Sequence, residues 1–279
     1  MNPPRVTFQP GRIAARLPIL ASLLLLLWGC MPEIPPAPGL FAAFDELPGH
    51  RRLVFTTSQG RQVAYYLPPQ HDPAAPPAHL VILYPGIGSV ALGWLRFIDP
   101  AAAPDTGWLM IDYPGRGESA GKMDPAELYQ NSEGALAALA NHFWVGQITA
   151  ELSLLGHSFG SGAALQFAAR HPVKRIVLVA PFDTLRRAVA LKSWLLALLL
   201  PSQIDNRELI AELLHASDPP VITILHGASD QTLPVRMGRN LRDVAPDRID
   251  YREFPDDSHV GILSTRHDLI MAALVGRLP

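Results

Sequence analysis

Residues Leu152 to His171 read LSLLGHSFGSGAALQFAARH. The stretch opens on an apolar run, Leu152 to Leu155, suited to a buried strand. It closes on Ser158 to Arg170, an alanine-rich run suited to a helix. Between them, Gly156 and Gly160 stand two places on either side of Ser158. A direct strand-to-helix turn crowds the side chains that flank its apex, and glycine removes that crowding. The new helix also aims its first amides at the serine, where developing negative charge is favoured. The spacing predicts a hydroxyl presented on a strained turn at the end of a strand.

Outward from this turn the chain alternates. Arg51 to Ser58 and Arg61 to Leu67 are strand-like runs split by Gln59-Gly60, which predicts a hairpin. His79 to Tyr84 (HLVILY) and Gly107 to Tyr113 (GWLMIDY) are continuously apolar, as strands buried on both faces require. Asp124 to Phe143 has helical spacing, with Asp124 as N-cap and Pro125 in the first helical position. Lys174 to Ala180 and Val221 to His226 predict strands, Pro234 to Val244 a helix, Asp250 to Phe254 a strand, and Gly261 to Leu278 a closing helix. A hairpin followed by alternating strands and helices predicts an α/β fold, one mostly parallel sheet covered by helices on both faces. Residues 181–220 interrupt the alternation with the apolar run Trp194 to Leu200 and a second helix around Asn206 to His215. They read either as a helical lid or as leucines packed into the main core.

The 279 residues are 48% hydrophobic and 17% charged, which suits a globular domain with a substantial core. A net charge of -2 with no basic, aromatic-laced stripe argues against nucleic acid as a partner. No Cys/His/carboxylate group has metal-ligand spacing, so neither metal nor cofactor is expected. Met1 to Pro18 carries Arg5, Arg12 and Arg16 and no acidic residue, and the apolar run Leu23 to Leu27 follows. This pattern predicts a secretory signal over residues 1–29. Its apolar stretch falls short of the roughly 20 residues that span a bilayer.

Cys30 is the only cysteine, so no intrachain disulfide can form. Leu27-Trp28-Gly29-Cys30 resembles the lipobox of bacterial lipoproteins at Leu27 and Gly29, with Trp28 bulkier than the usual residue there. The resemblance implies an acylated Cys30 as mature N-terminus, tethering an exported protein to a membrane of the bacterial cell envelope. Pro32, Pro35, Pro36 and Pro38 stiffen a tether expected across 30–50. The folded domain is expected across 51–279.

A serine hydroxyl is a weak nucleophile that needs a base, and the base needs an orienting acid. Asp230 follows the strand Val221 to His226, and His259 follows the strand that ends at Phe254. Both lie where loops leave the carboxyl ends of strands, the edge on which parallel sheets assemble sites. Asp183 is an alternative acid, while Asp218 precedes its strand and lies on the wrong edge. Asp256 and Asp257 read as solvated turn residues, and His267 as surface. His157 and His226 read as packing for the turns that present Ser158 and Asp230. Asp112 and Ser119 read as loop-stabilising.

Several stretches fall in one order: Tyr84-Pro85-Gly86-Ile87-Gly88, Asp112 to Ser119, Gly156 to Gly160, His226 to Pro234, and Ser258-His259. By these the chain resembles the α/β-hydrolases from about Leu53 onward. The resemblance implies Ser158 as nucleophile, His259 as general base and acid, and Asp230 as its orienting partner. It also implies an oxyanion hole made by the backbone N–H groups of Phe159 and Ile87, since Pro85 has no N–H. The activity implied is a serine hydrolase that cleaves a small carboxylic ester, or a related acyl bond, through an acyl-enzyme. Acyl transfer by the same triad, and a non-catalytic envelope lipoprotein, are the alternatives left open. Oligomeric state is not legible in the sequence.

Overall fold

Strand register orders the molecule. The computed structural model describes residues 34–35, 38–199 and 204–278. Its sheet comprises β1 (Arg51–Thr57), β2 (Gly60–Leu67), β3 (His79–Tyr84), β4 (Thr106–Ile111), β5 (Glu151–His157), β6 (Arg175–Val179), β7 (Val221–Gly227) and β8 (Ile249–Phe254). The strand order is β1-β2-β4-β3-β5-β6-β7-β8. The β1–β2 hairpin is antiparallel and joins β4 antiparallel, whereas β4 through β8 pair in parallel. This is the mostly parallel α/β sheet that the alternation predicts.

The helices are α1 (Pro38–Asp45), α2 (Gln130–His142), α3 (Gly160–Ala168), α4 (Leu185–Ala190), α5 (Trp194–Leu199), α6 (Asn206–Leu214), α7 (Arg236–Arg242), α8 (Gly261–Thr265) and α9 (His267–Leu274). Alternation along each strand divides the core between the two faces of the sheet. Leu80, Ile82, Leu154 and Ile176 pack beneath α2, α3 and α6, while Val81, Leu83, Leu155 and Val177 pack against α1 and α9. Every residue of β4 is buried, which explains its lack of a polar face.

The structure departs from expectation in three places. The described part of the region expected as a tether is docked: Gly117 N–H donates to Ile34 O at 2.8 Å, and residues 38–45 form α1. Phe44 of α1 is buried edge-on against Tyr65, with ring centroids 5.2 Å apart. The expected helix from Asp124 divides into a 3₁₀ turn, Pro125–Glu127, capped by Asp124 through Ala126 N–H, and α2. The closing helix divides at Arg266 into α8 and α9.

Of the two readings of residues 181–220, packing into the main core holds for part of the segment. Ile210, Leu213 and Leu214 of α6 join the main core, as does Leu185 of α4. Trp194, Leu195 and Leu198 of α5 face solvent. The segment 1–29 and Cys30 lie outside the described residues.

Candidate active site

Ser158 directly follows β5 with φ +55°, a left-handed conformation costly for any residue other than glycine. The turn is so tight that a Cβ on Gly156 would lie 2.7 Å from Gly160 O, and one on Gly160 would overlap the Tyr84 carbonyl. Ser158 N–H donates to Val179 O at 2.9 Å, fixing the apex to β6. These contacts are the physical cause of the glycine spacing.

His259 leaves the end of β8, and its ring bridges two elements. Its Nδ1 lies 2.7 Å from Asp230 Oδ2, and its Nε2 lies 2.9 Å from Ser158 Oγ. A carboxylate can only accept, so Nδ1 carries the proton and Nε2 offers its lone pair to the serine hydroxyl. Sequence positions 158, 230 and 259 therefore converge into one hydrogen-bonded chain.

Asp230 is fixed by a local turn. Its Oδ1 accepts from Thr232 N–H and Leu233 N–H, both at 2.8 Å, which leaves Oδ2 for the histidine. His226 Nε2 donates to Leu233 O at 2.9 Å and lies 3.3 Å from Asp230 Oδ2. Burial works to raise the Asp230 carboxyl. Hydrogen bonds from His226, His259 and the Leu233 amide more than offset it and hold the group well below the usual carboxylate range. The acid therefore stays ionised beside the imidazole.

His157 supports the base from behind. Its Nε2 donates to His259 O at 3.0 Å, and the two rings lie 5.0 Å apart. Burial pushes the His157 imidazole down to about 4, so it is neutral at neutral pH and adds no positive charge beside the triad. His157 and His226 thus hold the turns as expected, and each also holds a neighbouring member of the chain of three.

A Cβ on Gly86 would lie 3.5 Å from Ser158 Cβ, so the loop after β3 passes directly beside the serine. Among the described residues, the backbone N–H groups of Phe159 and Ile87 have no protein acceptor. Arg116 Nε donates to Ile87 O at 3.2 Å, and Tyr113 OH donates to Pro85 O at 3.0 Å, which anchors this loop.

The other candidates lie elsewhere. Asp183 is buried but engaged by Thr184 N–H, Arg187 and Asn240, each at 2.7 Å, and makes no hydrogen bond to His259. Asp257 is not solvated: it is buried and accepts from Thr265 Oγ1 at 2.8 Å and Arg266 Nε at 2.6 Å. His267 is half-buried, donating through Nε2 to Phe97 O at 2.8 Å, rather than lying on the surface. Asp112 accepts from Ala91 N–H at 2.7 Å and Ser119 Oγ from Val63 N–H at 3.0 Å, the loop roles expected of them.

A cavity of about 680 Å³ opens beside His157 and is lined by Trp94, Phe97, Val260, Leu263 and His267. Trp94 and Phe97 lie on or beside a 3₁₀ helix, Ala91–Arg96, that no sequence signal marked as part of the site. Among the described residues, no group of three or more His, Cys, Asp or Glu side chains could hold a metal ion.

Comparison with solved structures finds the same fold at low identity. An α/β serine hydrolase without lid from Xanthomonas campestris aligns at 18% identity over 82% of this chain and 95% of that one, with a TM-score of 0.57. An esterase from Pyrococcus furiosus aligns at 14% over 90% and 98%, TM-score 0.63. A 2,6-dihydroxy-pseudo-oxynicotine hydrolase aligns at 19% over 85% and 72%, TM-score 0.62. A search of curated protein sequences gave no match. The family model described as serine aminopeptidase, S33 matches residues 75–216, a span that includes Ser158 but ends before Asp230 and His259. The chain belongs to the serine aminopeptidase S33 family, and it is a hydrolase with the α/β-hydrolase fold.

Proposed function

We propose that the protein hydrolyses a carboxylic ester through an acyl-enzyme on Ser158. The observation that carries this reading is the unbroken chain from Ser158 Oγ through His259 to Asp230, at 2.9 and 2.7 Å. Ser158 Oγ attacks the acyl carbon while its proton passes to His259 Nε2, and Asp230 stabilises the imidazolium. The carbonyl oxygen, now negative, is held by the N–H groups of Phe159 and Ile87. One such donor is typically worth 10²–10³ in rate. Collapse breaks the ester bond, and His259 returns the proton to the departing alkoxide. Water, deprotonated by the same histidine, then attacks the acyl-enzyme and releases the acid.

The choice of ester over peptide rests on the cavity beside His157. Trp94, Phe97, Val260 and Leu263 offer apolar surface. The carboxylate on its lining, Asp268, faces solvent beside His267 at 3.1 Å. A substrate ammonium group would find no buried carboxylate there, whereas an uncharged acyl chain fits. Membrane tethering through acylated Cys30 is part of the same reading and rests on the Leu27-Trp28-Gly29-Cys30 motif.

A fluorophosphonate probe is expected to label the parent protein and not Ser158→Ala. Turnover of a short-chain aryl ester is expected to vanish in His259→Ala. Equal labelling of parent and Ser158→Ala would overturn the nucleophile. Metabolic labelling with a radioactive fatty acid is expected to mark the parent and not Cys30→Ala, and an unlabelled parent, or equal labelling of the two, would remove the tether.

A further inference from the structure

Helices α4 and α5 leave an apolar stripe on the surface. Leu191, Trp194, Leu195 and Leu198 face outward, with Trp194 70% and Leu198 66% exposed, while Ala197 faces the core. Trp194, Leu195 and Leu198 fall at the i, i+1, i+4 spacing of one face of α5, and Leu191 stands in the turn that precedes it. Single exposed leucines are ordinary, but a contiguous stripe that includes a tryptophan marks an interaction surface.

Charge identifies the partner. Residues 184–199 carry Arg186, Arg187 and Lys192 and no acidic residue. Leu191 also lines a cavity of about 670 Å³ whose walls hold Arg187, Arg207 and Arg236. The two carboxylates on those walls are already engaged, Asp183 by Arg187 and Asn240, and Asp243 by Arg242. Among the described residues, Arg207 and Arg236 pair with no carboxylate. Apolar side chains stand beside guanidinium groups that fit phosphate oxygens in pairs.

We infer that the α4–α5 stripe docks on an anionic phospholipid surface, the indole and leucines entering the acyl boundary and Arg207 and Arg236 holding head-group phosphates. The contact is distinct from Cys30 and does not depend on the proposed esterase chemistry. Because α4 follows the carboxyl end of β6, docking brings the edge that carries Ser158 and Asp230 toward the lipid.

The test uses the full chain with an environment-sensitive dye on position 198 of a Leu198→Cys, Cys30→Ser variant. The Cys30 change leaves one labelling site and removes any acyl tether. Vesicles of phosphatidylcholine with phosphatidylglycerol are expected to shift the dye emission to the blue, and pure phosphatidylcholine to do so weakly. Adding Arg207→Gln and Arg236→Gln is expected to weaken partitioning about thirtyfold, the loss of two surface cations. A dye on Val54→Cys, exposed on β1, is expected to report no shift. Ser158→Ala is expected to keep the shift, so failure of hydrolysis and failure of docking are separate results. No shift at position 198, or one unaffected by the arginine changes, overturns the proposal. A shift that grows with protein concentration in the absence of lipid also overturns it, in favour of a second copy of the chain.

Discussion

At the scale of single residues, the site is governed by close approach. Gly160 permits the backbone of α3 to start against the Tyr84 carbonyl, where no side chain fits. Gly160→Ala must push β3 and the Ser158 turn apart, an overpacking expected to cost about 3 kcal/mol. Urea unfolding checks this, and an unchanged midpoint would refute the steric account of the spacing. Ester turnover is expected to fall as well, because the same shift moves Ser158 Oγ from its 2.9 Å contact with His259. Such residues were legible in the sequence because their constraint is local: a strand, a turn and a helix contiguous in the chain. Asp257 and His267 were not, since both are covered by partners that only tertiary packing supplies. For His267 these include the Phe97 carbonyl, 170 positions away.

At the scale of elements, two turns set the position of the base. The Asp230 turn accepts two amides on one oxygen and presents the other to His259. Asp230→Asn keeps the shape of that turn but puts the wrong partner beside Nδ1, and kcat is expected to fall by about 10⁴ with little change in melting temperature. A comparable kcat in the variant would pass the role to another acid. The second turn is held by Asp257, which ties Thr265 and Arg266 back to the segment carrying His259. Arg266 also lies over the Phe254 ring at 4.2 Å, with non-helical backbone angles, and this is why the closing helix divides there. Asp257→Ala is expected to lower thermal stability by about 2 kcal/mol, reduced from the fully buried case because Arg266 is partly exposed. Strand positions were legible from continuous apolar runs, and helix ends were not. The break at Arg266 answers to side-chain partners rather than to periodicity.

At the scale of the whole molecule, buried titrating groups oppose one another. His157 is held at about 4, below its unfolded value near 6.5, so the stability it contributes is complete above 6.5 and is lost as pH falls toward 4. Asp112 runs the other way: burial raises it to about 7, and the hydrogen bond from Ala91 N–H only partly offsets this. Its folded state favours the proton, so its contribution is complete below its unfolded value near 4 and is lost as pH rises through 7. Between pH 4 and 6.5 the two slopes have opposite sign, so Asp112 offsets the contribution of His157. Below about 4, Asp230 adds a loss of its own, because its carboxyl is held under the ordinary range and the folded state resists protonating it. Asp112→Asn removes one side of this balance while keeping an acceptor for Ala91 N–H. Its stability is expected to rise with pH between 4 and 6.5 by up to about 1.4 kcal/mol per unit, the slope of one proton. Denaturant midpoints collected across that range decide the matter. Parallel profiles for parent and variant would mean that Asp112 is not the group opposing His157.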